Sequence, residues 1–235
     1  MPAYAVIGGQ WGDEGKGKII DYLAGQMDCV VRYAGGNNAG HTVVNEKGTF
    51  QLHLVPSGIC WPQVYGIIGN GVVVDPDVLM GELSQLASRG IDTSKLYVSE
   101  RAHLIMPYHI LLDSLEEKAR GASAIGTTGR GVGPSYVDKV ARSGIRVGDL
   151  LDWDALVPRL EEMVAAKNAL ITKIYGEEPL ALEGILEKCR KWADQLRPNA
   201  RPTEQIVQDL LADGKRVLLE GAQGTLLDLD HGSYP

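Results

Sequence analysis

The opening stretch MPAYAVIGGQWGDEGKGKIIDYLAG constrains the fold more than any other part of the chain. Residues 3–8 form a short apolar run that reads as a buried strand. Residues 16–24 are periodic, with Ile19, Ile20 and Leu23 predicted on one helical face. Between them lies a glycine-rich turn holding Asp13, Glu14, Lys16 and Lys18. Strand, glycine turn and helix together make a phosphate cradle. Free N–H groups at the helix start point at the anion, glycine lets the backbone approach, and lysine adds a mobile charge. The frame from Gly12 to Lys18 satisfies G-x-x-x-x-G-K, but Ile19 stands where a Ser or Thr would hold magnesium. Asp13 is the candidate for that task, because a carboxylate suits a hard cation. The dinucleotide fingerprint G-x-G-x-x-G fails from Gly8, Gly9 and Gly12.

The rest of the chain continues an α/β pattern. Strands are predicted at 29–33, 49–56, 65–68, 72–74, 95–99 and 216–224. A helix is predicted from Pro76 to Arg89, capped by Asp75 and left through Gly90. Another runs from Tyr108 to Arg120 and enters GASAIGTTGRGVGPSY, a polar glycine loop without periodicity and a candidate functional segment. From Trp153 to Leu211 the pattern is helical in two or three pieces, broken at Gly176 and at two Arg-Pro steps. The expected architecture is a mostly parallel central sheet with a helical insertion. Residues 1–150 form the α/β core, 151–215 the helical segment, and 216–235 a return to the sheet.

The totals narrow the function. With 235 residues the chain can bury a sizeable core. A net charge of -7 argues against non-specific nucleic-acid binding, yet permits a small anionic ligand through a local field. No run is long and apolar enough to span a membrane, and the N-terminus shows no secretory pattern. Cys29, Cys60 and Cys189 match no zinc spacing, which points to a reducing, cytoplasmic setting. Glycine numbers 29 and gathers where tight corners near a ligand would lie, flanked each time by aliphatic runs.

Other candidates follow from residue type and context. His41 sits in a polar loop beside Asn37 and Asn38, where it suits hydrogen bonding or acid chemistry at a phosphoryl group better than metal ligation. Thr127, Thr128 and Arg130 suit a phosphate monoester, and Gln223 at a strand end suits base or ribose reading. Glu116 and Glu117 read as ordinary helix-surface charge. His53, His103, His109 and His231 gain no claim from spacing.

Taken together, these clusters resemble the adenylosuccinate synthetase family. The blocks are GGQWGDEGKGKIIDYL at 8–23, VVRYAGGNNAGHTV at 30–43, LHLVPSGI at 52–59, IIGNGVV at 67–73, AIGTTGRGVGPSYVDKVARSGIRVGDL at 124–150 and LLEGAQGTLLDLDHGSYP at 218–235. The resemblance implies a P-loop-NTPase-like α/β fold and a magnesium-dependent ligase of AMP biosynthesis. In that reaction IMP is phosphorylated at O6 by GTP, and L-aspartate then displaces the phosphate to give adenylosuccinate. It implies Asp13 as general base and magnesium ligand, and His41 as the aid to γ-phosphoryl transfer. It further implies Gly40 as a carbonyl ligand of magnesium. Gly12, Glu14, Gly15, Lys16, Gly17, Lys18, Gly40 and Thr42 would line the GTP phosphates. Asp13, Asn38, Thr128 and Gln223 would meet IMP. Arg142 would reach IMP from a second subunit, which implies a homodimer. Family members run nearly twice as long, and the remaining part carries guanine and aspartate recognition. Residues 1–235 alone are therefore expected to fold poorly or to lack ligase activity.

Two other readings stay open on the residues themselves. A different P-loop-like NTPase or kinase would turn over nucleotide without IMP. A non-catalytic nucleotide-binding fragment would bind ligand without turnover.

Overall fold

The structure is a computed structural model that describes residues 3–46 and 48–233. Tyr234 and Pro235, the end of the last block quoted above, lie outside the described residues. In chain order the elements are β1 (Ala3–Gly8), α1 (Lys16–Ala24), β2 (Cys29–Arg32), β3 (His41–Asn45), β4 (Gly48–Leu52), β5 (Tyr65–Ile68), β6 (Val73–Val74), α2 (Pro76–Ser88), β7 (Leu96–Ser99), β8 (His103–Leu104), α3 (Pro107–Arg120), α4 (Val132–Ala141), α5 (Trp153–Lys173), α6 (Leu182–Leu196), β9 (Ala200–Arg201), α7 (Thr203–Ala212) and β10 (Val217–Gly224).

Six strands form one parallel sheet in the order β1-β10-β2-β5-β7-β9. All of Cys29–Arg32 is buried, as expected for a parallel strand covered on both faces. The last strand, β10, is inserted between the first two. Val217 pairs with Ala3 on one side and with Cys29 on the other. The carboxyl ends of β1, β2 and β10 therefore meet, and such crevices are where open α/β sheets bind ligands.

The largest core cluster joins Leu79 and Leu86 of α2, Tyr108 of α3, Leu156 and Leu160 of α5 and Trp192 of α6. The Trp192 Nε1 donates to Asp77 Oδ1 at 2.9 Å, so the ring is buried with its polar atom satisfied. Asp75 caps α2 by accepting from the amides of Asp77 (3.1 Å) and Val78 (3.2 Å).

The sequence reading differs from the structure in four places. Ile19 is 53% exposed, because the buried face of α1 runs through Lys16, Gly17, Ile20 and Ala24. The strand expected at 49–56 ends at Leu52 and pairs antiparallel with β3, whose first residue, His41, is expected in a loop. The two-residue strand β8, pairing with β6, is too short to carry a periodic signal. The glycine loop after α3 ends at Gly131, and VGPSYVDKVA is helical.

Candidate functional site

The loop from β1 to α1 is tied by its own side chains. The Glu14 carboxylate accepts from the amides of Gln10 (2.7 Å) and Gly12 (3.1 Å). The hydrogen bond from the Gly12 amide, followed by those from the Glu14 and Gln10 amides and by the charge of Lys16, holds this carboxyl below its usual range despite some desolvation. Lys16 donates to the Gly12 carbonyl at 2.9 Å, which folds its ammonium back over the loop. Gly12 and Gly15 take φ of 95° and 83°, a left-handed backbone that other residues adopt at a cost. The first turn of α1 has no side-chain cap; the Lys18 amide donates to the Gly15 carbonyl at 3.1 Å, and no side chain covers the helix start against an anion.

The hairpin of β3 and β4 folds against this helix. His41 opens β3, opposite Leu52, and is only 6% exposed. Gly17 makes the approach possible: a Cβ there would stand 2.9 Å from the His41 Cβ. A cleft of about 420 Å³ results, lined by Gly12, Asp13, Gly15, Lys16, Gly17, Lys18, Gly40, His41 and Thr42, with Val44 beside them. Nine residues named from sequence thus share one wall. Glu14 is absent from that lining, since its carboxylate is turned to the loop amides.

His41 is anchored from below. Its Nδ1 lies 2.5 Å from Glu220 Oε1 and 3.2 Å from Ser57 Oγ, while Nε2 is buried without a hydrogen-bond partner among the described residues. Glu220 stands on β10 and is fully buried. It also accepts from the Ser57 amide and the Ser57 hydroxyl, each at 2.9 Å. Burial alone would raise its carboxyl. The hydrogen bond from His41, the charges of His41 and Arg32, and the Ser57 amide outweigh that and hold it below the ordinary range. Arg32 is the register partner of Glu220 on β2 and is itself wholly buried. Its Nη2 donates to the Gly36 carbonyl at 3.0 Å, which shapes the segment leading to Asn37 and Asn38.

A second cleft, also about 420 Å³, opens at the ends of β1, β2 and β10. Gln223 lines it with Gly8, Tyr33, Ala34, Asp228 and His231 among others. Gly35, with φ of 91°, passes the Gln223 amide at a distance that a Cβ would reduce to 3.2 Å. Asn38, Thr128 and Arg142 stand outside both clefts. Thr128 lies in the exposed loop after α3, and Arg142 ends α4 with φ of 63° in the left-handed region. Arg130 of the same loop donates to the Asn37 carbonyl, tying the two segments together.

Sequence reasoning missed Glu220 and Ser57, which meet each other and His41 across long stretches of chain, and Arg32, whose register partner Glu220 comes from the last strand. It also misjudged Glu117, whose carboxylate accepts from the amides of Ile125 (3.1 Å), Gly126 (2.7 Å) and Thr127 (3.2 Å). An acidic residue pointing from α3 into a glycine loop was the available signal.

The cleft also suits a divalent cation bound with phosphate. Asp13 is exposed on its wall and its carboxylate has no hydrogen bond or ion pair among the described residues. A Cβ at Gly40 would meet nothing within 4 Å, so the backbone there is open. No group of three His, Cys, Asp or Glu among the described residues could cage a metal. One carboxylate and backbone oxygen fit magnesium, which keeps waters and phosphate oxygens as its other ligands.

Known proteins share this sequence and this fold. A family model described as adenylosuccinate synthetase matches residues 5–235. The adenylosuccinate synthetase of Dehalococcoides mccartyi is 54% identical over 235 residues, covering 100% of this chain and 56% of the relative. That of Moorella thermoacetica is 57% identical over 235 residues, covering 100% of this chain and 55% of the relative. This chain thus spans little more than half the length of these curated relatives. Among solved structures, the fully ligated adenylosuccinate synthetase from Plasmodium falciparum superposes with a TM-score of 0.88 at 34% identity, covering 99% of this chain and 54% of that one. The succinoaminodeoxyadenylate synthetase of cyanophage S-2L, solved with dGMP and dATP, gives a TM-score of 0.62 at 25% identity, covering 100% of this chain and 55% of that one. With the parallel sheet, the capless helix start and the His41 cleft described, the match over 5–235 assigns this chain to the adenylosuccinate synthetase family.

Proposed function

We propose that the protein carrying this chain joins IMP and L-aspartate, using GTP, to form adenylosuccinate, GDP and phosphate. The observation that carries this reading is the cleft in which Asp13, Lys16, Lys18, Gly40 and His41 share one wall, in a chain matched by the family over 5–235. Gly12, Gly15, Gly17 and Thr42 line the GTP phosphates, with Glu14 holding the loop in shape. In the first step Asp13 takes the N1 proton of IMP. O6 then attacks the γ-phosphorus and the bond to the β-phosphate oxygen breaks. Lys16 and Lys18 offset the charge, and His41 offers Nε2 to the moving phosphoryl group. In the second step the aspartate amine attacks C6, the C6–O6 bond breaks, and phosphate departs carrying O6, while the new C–N nitrogen gives up its proton to solvent; phosphorylated O6 leaves more readily than the parent oxygen. Magnesium, held by Asp13 and the Gly40 carbonyl with GTP, neutralises phosphate charge when bound.

Asn38, Thr128 and Gln223 meet IMP, with Gln223 in the second cleft. Arg142 serves the other subunit of a homodimer. Its exposure at the end of α4, beside Val137 (65% exposed) and Val140 (80% exposed), supports that arrangement. Residues 1–150 serve as the nucleotide-binding core and 151–215 as a helical segment. The setting is cytoplasmic. Among the described residues, no helix is long and apolar enough to cross a membrane.

In the intact protein, Asp13→Ala should lower adenylosuccinate formation by about 10²–10⁴-fold while IMP binding persists in part. GTP hydrolysis by the unaltered protein that ignores IMP, with no adenylosuccinate formed, would replace this reading with that of a plain nucleotidase.

A further inference from the structure

Glu220 lies among three donors. His41 Nδ1 is at 2.5 Å from Oε1, Ser57 Oγ at 2.9 Å from the same oxygen, and the Ser57 amide at 2.9 Å from Oε2. A carboxylate that takes a backbone N–H and a hydroxyl, with the buried Arg32 as its register partner on the next strand, is an acceptor only. The Nδ1 of His41 must then carry the proton of that short bond. Whatever His41 does to a ligand passes through Nε2, the nitrogen left buried and unpartnered in a residue that lines the cleft.

We propose that Glu220 is the positioning residue of His41: it fixes the ring orientation and keeps the proton on Nδ1, so that Nε2 is the nitrogen presented to the phosphoryl group. A carboxylate behind an imidazole does this wherever the ring must work through one nitrogen. Ser57 is the support beneath it, orienting the carboxylate through two bonds. The inference rests on the ligase reading for its turnover measurement alone. The pairing itself is a property of the folded chain.

The test uses the intact protein labelled with ¹⁵N in its histidine rings, with the His41 signals assigned by their loss in His41→Asn. In the unaltered protein Nδ1 should resonate in the protonated range. An unprotonated Nδ1 would overturn the proposal without any change at Glu220. In Glu220→Gln, which keeps the size but can donate, the Nδ1 signal should move to the unprotonated range and the proton to Nε2. The turnover number should fall by about two orders of magnitude, with KM for GTP and IMP within about threefold. Ser57→Ala, which leaves the carboxylate in place, should keep the proton on Nδ1 and lower turnover less than tenfold. An unmoved Nδ1 signal in Glu220→Gln, a moved signal with undiminished turnover, or an equal loss in Ser57→Ala would each overturn the assignment. If the unaltered protein makes no adenylosuccinate, the ligase reading fails by itself, and the ring spectra still decide whether Glu220 sets the proton.

Discussion

Gly17 is the point at which α1 admits the hairpin. Its missing Cβ is occupied by the flank of His41, so Gly17→Ala must move the imidazole or the helix. Overpacking of this kind costs about 1–3 kcal/mol. Turnover of the intact protein should fall by about 10–100-fold, since small misplacements of a reacting group are expensive. Thermal unfolding and steady-state rates measure the two effects separately. His103 offers a second test. Burial, then Lys139 and Arg146, with Arg159 in the same sense and Asp149 opposing, push its imidazole down to about 4. The unfolded chain takes up that proton near pH of about 6.5, before the folded one does. Stability contributed by His103 is therefore intact above that value and declines as pH falls towards about 4. Denaturation midpoints across this window should decline less steeply in His103→Gln. His103 drew no notice by spacing, whereas Gly17 did, as the second glycine of the G-x-x-x-x-G-K frame. His41 did so by its polar neighbours, but its burial and its carboxylate partner depend on a contact 179 residues away.

Helix α2 shows when a short stretch is sufficient to define an element. Asp75, Pro76 and Gly90 bracket an apolar period, and each acts locally, so the helix and its cap were legible. The hairpin was not. HTVVN is short, follows glycine and becomes a strand only because Phe50 and Leu52 face it across the ladder and are buried. The segment between α3 and α4 lies between these cases. Its glycines marked it as a loop, while the device that holds it was invisible: Glu117 gathers three successive amides, and Asp113 takes the Thr127 hydroxyl and the Gly131 amide, both at 2.8 Å. Replacing Glu117 by Gln weakens acceptance at those amides. Hydrogen exchange at Ile125, Gly126 and Thr127 should quicken by about an order of magnitude, with α3 itself unaffected. Unchanged exchange there would show that the loop is held by other means.

The order of the sheet could not be read, because a strand–helix pattern fixes parallel pairing without saying which neighbours meet. The chain sets β10 between its first two strands, and among the described residues β10 is the sheet partner of β1. Ending the chain at Lys215 should leave residues 3–8 unpaired, with amide exchange near solvent rates and the loop before α1 unanchored. Native-like protection of β1 in that variant would refute the pairing. This insertion also imposes a chronology on synthesis. A nascent chain emerging from the ribosome exposes its glycine loop, its lysines and its imidazole long before the strand carrying Glu220 and Gln223 has been translated. The imidazole gains its carboxylate support, and β1 its neighbour, only after that strand has been made, so the loop exists well before it can be anchored.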